Sequence, residues 1–211
     1  LGTNSLTAEQ AASIEEFILK GGKAFIATSQ YSVDINGDWS ISKNKDDNFI
    51  PVLENWGIRF DDKIVNDISN VRISFYSPAS GNGVQNETTL YEYVNYPQWL
   101  SVIPQNNVPQ GISMFWASPI KDNSNIMPLF YSSPYSWTVK EYDESIQNKT
   151  DQIFLSDPFT VEKNWISDPL FTKEQVVLGA KLKGPISGLY NFDTNDSPQL
   201  VVLPDQYFAM N

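Results

Sequence analysis

The sequence predicts an α/β domain built on a mostly parallel sheet. Two observations lead there. A capped helix is joined by Gly21-Gly22 to an apolar run too short for a helix. Several further apolar runs of strand length follow, separated by Gly, Pro, Asn and Asp. Composition supplies the third: 41% of the 211 residues are hydrophobic and 18% charged, with six Trp, ten Tyr and twelve Phe, so the chain can bury a core without a disulfide or metal.

The elements follow in order. Thr7-Ala8-Glu9-Gln10 has the form of a capping box, in which the Thr7 hydroxyl and the Gln10 side chain each satisfy a backbone N–H at the helix start. Ala11, Ile14 and Ile18 recur at helical spacing and Phe17 widens the stripe. Lys20 suits the negative helix end and Gly21 supplies a left-handed stop. Lys23 to Thr28 then reads as a strand buried on both faces, which makes helix, Gly-Gly and strand half of a parallel βαβ unit. Asn36-Gly37 between Val33, Ile35 and Trp39, Ile41 predicts a β-hairpin with a type I′ turn. Asn48 is expected to cap a second helix through Val52, Leu53 and Trp56, ended by Gly57. Ile58-Arg59-Phe60 and Lys63-Ile64-Val65-Asn66 are expected as short strands around an Asp61-Asp62 turn. Residues 67–110, with Gly81, Gly83, Pro97, Pro104 and Pro109, read as an irregular, β-rich insertion over one sheet edge. Residues 111–117, 127–131, 175–182 and 200–203 complete the strands of a single domain spanning 1–211.

Charge and composition exclude several functions. With 14 Lys plus Arg against 25 Asp plus Glu, the net charge is −11, and no basic cluster is available to displace counterions from phosphate. Nucleic acid is therefore discarded as a partner, and tight docking to an anionic lipid surface is disfavoured. The absence of His and Cys removes Ser-His-Asp and Cys-His catalysis, thiolate chemistry and N/S zinc sites, so any acid or base must be Asp, Glu, Lys or Tyr. No cofactor is implied. No apolar run approaches the roughly 18 residues needed to span a bilayer. Leu1-Gly2-Thr3-Asn4-Ser5 does not read as a signal peptide, and both ends read as cut from a longer protein.

Five stretches, in order, resemble the gliding-motility-type (GldG-type) auxiliary family of ABC transport systems. They are Leu6-Thr7 through Gly21-Gly22-Lys23; Val52-Leu53-Glu54-Asn55-Trp56-Gly57-Ile58 with Val65-Asn66-Asp67; Met127-Pro128-Leu129-Phe130-Tyr131-Ser132-Ser133-Pro134-Tyr135-Ser136-Trp137; Leu178 to Tyr190; and Val201-Val202-Leu203-Pro204-Asp205-Gln206-Tyr207-Phe208. Departures occur where the family has Asp-Pro and this chain has Ser29-Gln30, and where its Gly-Asp-Ser is Pro204-Asp205-Gln206. The resemblance implies a Rossmann-like or glutamine-amidotransferase-like fold with helices flanking the sheet. It also implies a further strand before the first helix, and membrane helices outside this segment. The domain would sit periplasmically, on the extracytoplasmic face of the cytoplasmic membrane, beside ABC permease and ATPase subunits. It carries over no catalytic residue.

In open parallel sheets, ligands bind beyond the carboxyl ends of the strands. Thr28-Ser29-Gln30, Ser132-Ser133 and Asp205-Gln206 fall there. They are candidates for a small polar ligand or a partner loop; the alternative is that they cap turns and helices. Tyr131, Tyr135 and Trp137, with Ser hydroxyls between them, suit a sugar ring or a protein hot spot, or else pack into the core at a strand end. The candidate binding residues are thus Ser29, Gln30, Ser132, Ser133, Tyr135, Trp137 and Asp205. Asp34 to Ile41 imitates a calcium loop, but Trp39 and Lys45 replace its required Gly and Glu, so the hairpin is the better reading. Asp46-Asp47, Asp61-Asp62 and Asp143-Glu144 are sequence neighbours and do not make a glycosidase pair. Asn86-Glu87-Thr88 and Asn148-Lys149-Thr150 are chance sequons.

Three functions follow. The first is a non-catalytic auxiliary module that binds a partner protein or an envelope substrate. The second is a carbohydrate-binding module taking envelope glycan at Tyr135, Trp137 and the serine rim. The third, least supported, is an Asp-based hydrolase.

Overall fold

The computed structural model describes residues 6–35, 39–44, 47–78, 88–104, 111–140, 174–191 and 193–208. The Asn36-Gly37 turn, Asp46, Asn86-Glu87, Pro109, Asp143-Glu144, the second sequon and Met210-Asn211 lie outside them.

Helix α1 (Ala8–Leu19) begins as its sequence dictates. Gln10 N–H donates to Thr7 Oγ1 at 3.2 Å and Thr7 N–H to Gln10 Oε1 at 2.9 Å. Gly21, at φ 90°, takes the left-handed position after the Lys20 cap that an L side chain resists. Strand β1 (Lys23–Ala27) follows. A hairpin of β2 (Tyr31–Val33) and β3 (Ile41–Lys43) pairs Tyr31 with Lys43 and Val33 with Ile41, which bears out the hairpin over the calcium-loop pattern. Helix α2 (Ile50–Asn55) starts at Phe49, not under an Asn48 cap. Asp47 Oδ1 accepts the Phe49 N–H at 2.8 Å, while Asn48 Nδ2 donates to the Leu6 carbonyl at 2.6 Å.

The rest is β structure: β4 (Lys63–Asp67), β5 (Asn70–Pro78), β6 (Thr88–Pro104), β7 (Ile112–Phe115), β8 (Ile126–Tyr131), β9 (Ser136–Lys140), β10 (Val177–Leu182), β11 (Ile186–Ser187), β12 (Thr194–Asn195) and β13 (Gln199–Leu203). A seven-stranded sheet runs β1-β13-β10-β8-β6-β5, with β7 also paired to β6. Only the β1–β13 pair is parallel in it; β10 is antiparallel to both β13 and β8, and β6 to β8, β7 and β5.

This overturns the expected Rossmann-like or amidotransferase-like fold. The sheet is mixed, mostly antiparallel and curled into a half-barrel, and the described residues hold thirteen strands and two helices. The reason is physical. A strand buried on both faces looks the same in sequence whichever way its neighbours run, and one helix–strand unit fixes no partner's direction. Residues 70–78 and 88–104 supply β5 and β6, which extend the sheet at one end. Phe60 makes a single bridge to Ile120, and β4 pairs with β9, so no hairpin turns at Asp61-Asp62.

Both helices lie against one face. Ala11, Ile18, Val52, Leu53 and Trp56 pack there on Ile26, Ala180, Leu182, Leu200 and Val202. The other face meets β4 and β7 through Val65, Met114, Leu178, Phe130 and Leu203. β10 serves both layers: a bulge around Gly179 breaks the alternation, so Leu178 turns one way, Ala180 and Leu182 the other. β1 departs from the expectation of burial on both faces, because Phe25 is 43% exposed; β1 is the sheet's outer strand among the described residues. Phe17 is exposed rather than in the core. Glu15 is buried instead, because its carboxylate accepts the backbone N–H groups of Leu189, Tyr190 and Asn191.

Candidate functional site

Although the sheet is mixed, β1, β8 and β13 run the same way, since each of β8 and β13 is antiparallel to β10. Their carboxyl ends therefore lie at one end of the sheet. Thr28-Ser29-Gln30, Ser132-Ser133 and Asp205-Gln206 share that rim. The β1 and β13 segments are neighbours; the β8 segment stands two strand spacings from β13, about 10 Å.

Three buried aspartates organise this rim in the same way. Each Oδ1 accepts the N–H two residues on, forming an Asx-turn, and each Oδ2 reaches another element. Asp47 takes Phe49 N–H at 2.8 Å and the Thr28 hydroxyl at 3.1 Å. Asp67 takes Ser69 N–H at 2.8 Å and Ser133 N–H at 2.6 Å, and Ser133 Oγ donates to its Oδ1 at 2.5 Å. Asp205 takes Tyr207 N–H at 2.7 Å and Phe115 N–H at 2.9 Å. Each staple ties one chain segment to another across the rim.

Burial raises the carboxyls of Asp67 and Asp205 above the ordinary aspartate range, Asp205 to about 7, although the hydrogen bonds from Ser133 to Asp67 and from the Phe115, Tyr207 and Phe208 N–H groups to Asp205 pull the other way. A carboxylate in this state can in principle act as a base. Here the oxygens of Asp205 and Asp67 are occupied by backbone and serine donors, and both residues are 0% exposed. Among the described residues no group of three acidic side chains is placed to hold a metal ion.

The other candidates are placed as follows. Ser29 Oγ accepts Tyr31 N–H at 3.2 Å. Ser132 Oγ bonds Val176 N–H at 2.9 Å and lies 2.7 Å from Ser136 Oγ, closing the loop between β8 and β9. Gln30, Ser132 and Ser133 are buried, as is Trp137, which packs with Tyr31, Ile64 and Val139. Tyr135 is 47% exposed, so it and Trp137 do not form one platform. Asp61 pairs with Lys63 at 3.1 Å and Asp62 with Lys43 at 2.7 Å, as solvated turn charges do.

Sequence reasoning missed an aromatic cluster at the same rim. Trp116 Nε1 donates to Tyr96 Oη at 2.9 Å, whose hydroxyl donates to Gln98 Oε1 at 2.9 Å. The Trp116 ring meets Trp39, Trp99, Phe115 and Tyr207 at centroid distances of 5.1–6.3 Å. Trp39 and Trp116 both hold positive φ, 62° and 51°, which is costly for a bulky residue. The signal was Phe115-Trp116 at a strand end, but its partners are scattered from residue 39 to 207. Asp47 and Asp67 were also missed as staples; the Asp-x-N–H turn they make is local and readable, their cross-element reach is not.

Comparison with known proteins adds the following. The family described as an ABC-type uncharacterized transport system auxiliary component matches residues 1–211. A protein of Borreliella burgdorferi, described as "Uncharacterized protein", is 27% identical over 156 residues, covering 67% of this chain and 28% of its own length. The chain thus spans little more than a quarter of that relative. No solved structure matches the chain significantly. On a match running over its whole length, the chain belongs to the family of auxiliary components of ABC-type transport systems.

Proposed function

We propose that this chain is a non-catalytic, extracytoplasmic module of a gliding-motility-type ABC transport system. It works by docking to the permease and ATPase assembly or by holding an envelope substrate for it, and is anchored to the membrane by segments outside this chain. The family match carries the reading. The rim chemistry supports it: the raised carboxyls are tied to backbone N–H groups and serine hydroxyls, an arrangement that holds loops in place. No helix among the described residues is long and apolar enough to cross a membrane.

The test is affinity purification of the full-length protein from detergent-solubilised membranes, with exposed-ring variants Phe17→Ser and Tyr135→Ala alongside. Recovery of permease or ATPase subunits, reduced in at least one variant that remains folded, is the expected result. Trp137→Ala and Ser133→Ala are unsuitable for this purpose, since both side chains are buried and their loss reports on folding. Recovery of envelope glycan without any transporter subunit would replace this reading by a carbohydrate-binding one.

A further inference from the structure

A groove of about 380 Å³ opens to solvent between α1 and β1. Ile14 and Phe17 line it from the helix, and Ala24, Phe25 and Ile26 from the strand. Its floor belongs to the core: Ile26 is fully buried, and Ile14 and Ala24 pack on the same cluster. Its walls are the rings of Phe17 and Phe25, 57% and 43% exposed. Both rings are seated. A side chain at Gly22 would run into the Phe17 ring, so that ring lies directly over the glycine, and the Phe25 ring meets Phe208 at a centroid distance of 5.5 Å. The groove is formed as it stands, at the small end of the range of about 300–1,000 Å³ common for ligand sites. Two further residues line it, both polar. Ser13 Oγ already donates to the Glu9 carbonyl at 2.9 Å. Lys23 makes no ion pair among the described residues, whereas Lys20, Lys43, Lys63 and Lys121 each lie beside a carboxylate. No acidic side chain lines the groove. The nearby end of α1, ordinarily a negative pole, is largely answered. Lys20 N–H donates to the Glu16 carbonyl, Gly22 N–H to that of Phe17, and Gly21 N–H and Asn195 Nδ2 to that of Ile18.

We infer that this groove binds a single-chain anionic amphiphile, a free fatty acid, with its chain between α1 and β1 and its carboxylate at Lys23. Aliphatic and aromatic walls take methylene groups, and the lysine ammonium beside them answers a carboxylate. An alkylammonium would meet Lys23 with no counter-charge, and a neutral chain would leave the ammonium unused. A second copy of this chain is a poor occupant, because it brings a net charge of −11 against −11. The same charge disfavours an anionic bilayer surface, which selects the free acid over a lipid still in its membrane. The inference is independent of the docking function and fails separately from it.

The experiment is NMR of the 15N-labelled protein, following the backbone amides of Ser13, Phe17, Lys23 and Phe25 during titration with decanoate below its micelle concentration. Decanol, decylamine, acetate and vesicles of anionic phospholipid serve as comparisons. Expected is a saturable shift centred on the groove, with a dissociation constant for decanoate on the order of 0.1–1 mM. Affinity should rise by up to about fourfold per methylene from hexanoate to decanoate, and acetate should give no saturable shift. Lys23→Gln weakens decanoate about two- to fivefold and leaves decanol as it was, whereas a merely structural role for Lys23 would move both. Ser13→Trp fills the groove from an exposed helix position and abolishes the binding of both, while the remaining spectrum stays folded. No saturable shift with decanoate overturns the inference. So does decylamine binding as tightly as decanoate, decanoate binding that Lys23→Gln leaves unchanged, or a shift that appears with the vesicles and not with the free acid. A folded Ser13→Trp variant that loses decanoate but still co-purifies with transporter subunits separates this site from the docking function; wild type that binds decanoate but recovers no such subunit sinks the docking reading and leaves this one standing.

Discussion

Replacing Asp67 by alanine tests the staple arrangement most sharply. The change deletes the acceptor for three donors, Ser133 N–H, Ser133 Oγ–H and Ser69 N–H, two of them buried. An unsatisfied buried donor costs about 1–3 kcal/mol, giving a gross loss of roughly 2–6 kcal/mol from the two buried donors. Two effects reduce it. The hydroxyl can turn to another acceptor, and the variant no longer buries a carboxyl whose raised pKa shows that its ionised form is disfavoured there. A net loss of about 2–4 kcal/mol remains, or a fall in Tm of about 4–16 °C for a chain of this size. Ser133→Ala removes one donor to Asp67 and the acceptor of the Tyr135 N–H but leaves the Ser133 N–H bond intact, so its cost is about 1–2 kcal/mol. The assay is urea unfolding of wild type, both single variants and the double variant. The cycle isolates the coupling between Asp67 and Ser133, expected to exceed about 0.5 kcal/mol. A stability within about 0.5 kcal/mol of wild type for Asp67→Ala would refute the reasoning and make the rim hydrogen bonds incidental.

Stability should also respond to pH through Asp205. Its folded-state pKa, about 7, lies above the ordinary 3.8, so the folded state holds more protons between those values. The stability this confers is fully present below pH 3.8 and is lost as pH rises through about 7. Denaturation midpoints should fall across that window, by at most about 4 kcal/mol from this group, and Asp205→Asn should flatten the slope; a profile that Asp205→Asn leaves unchanged assigns the slope elsewhere. Trp116→Ala should cost about 3–5 kcal/mol, slightly relieved by the loss of a bulky side chain at φ 51°, measured by the same unfolding. Glu15→Ala should leave α1 folded but raise hydrogen exchange at the Leu189, Tyr190 and Asn191 amides, which its carboxylate binds; unchanged protection there would show that the loop is held by other contacts.

Much of the local structure was legible. The Thr7-to-Gln10 box, the Gly21 stop, the hairpin through Val33 and Ile41, and the apolar runs of β8, β10 and β13 all follow from spacing and turn chemistry that act within a few residues. What was not legible is long-range. Val177 to Leu182 reads as a buried strand in either sheet type, and only its neighbours decide that it runs against both β8 and β13. Glu15 reads as a solvated helix residue, yet the loop at 189–191, more than 170 residues away, encloses its carboxylate. Phe17 and Phe25 read as core because they extend apolar stripes, but their positions fall beside the sheet's outer strand. The rim could be located from strand ends alone. Which of its side chains hold the fold, as Asp205 and Ser133 do, and which keep an unanswered polar atom, as Gln30 does, depends on partners that no local pattern encodes.

The most direct test of the central claim, that the chain works by docking to a transport assembly, is site-specific photo-crosslinking in intact cells. A photoreactive phenylalanine analogue would replace Phe17, Tyr135 or Tyr190, each of which is exposed. The account predicts an adduct between at least one of these positions and a permease subunit, and none from a buried control such as Phe49. Folded, membrane-associated protein that forms no adduct with a transporter subunit from any exposed position would contradict it.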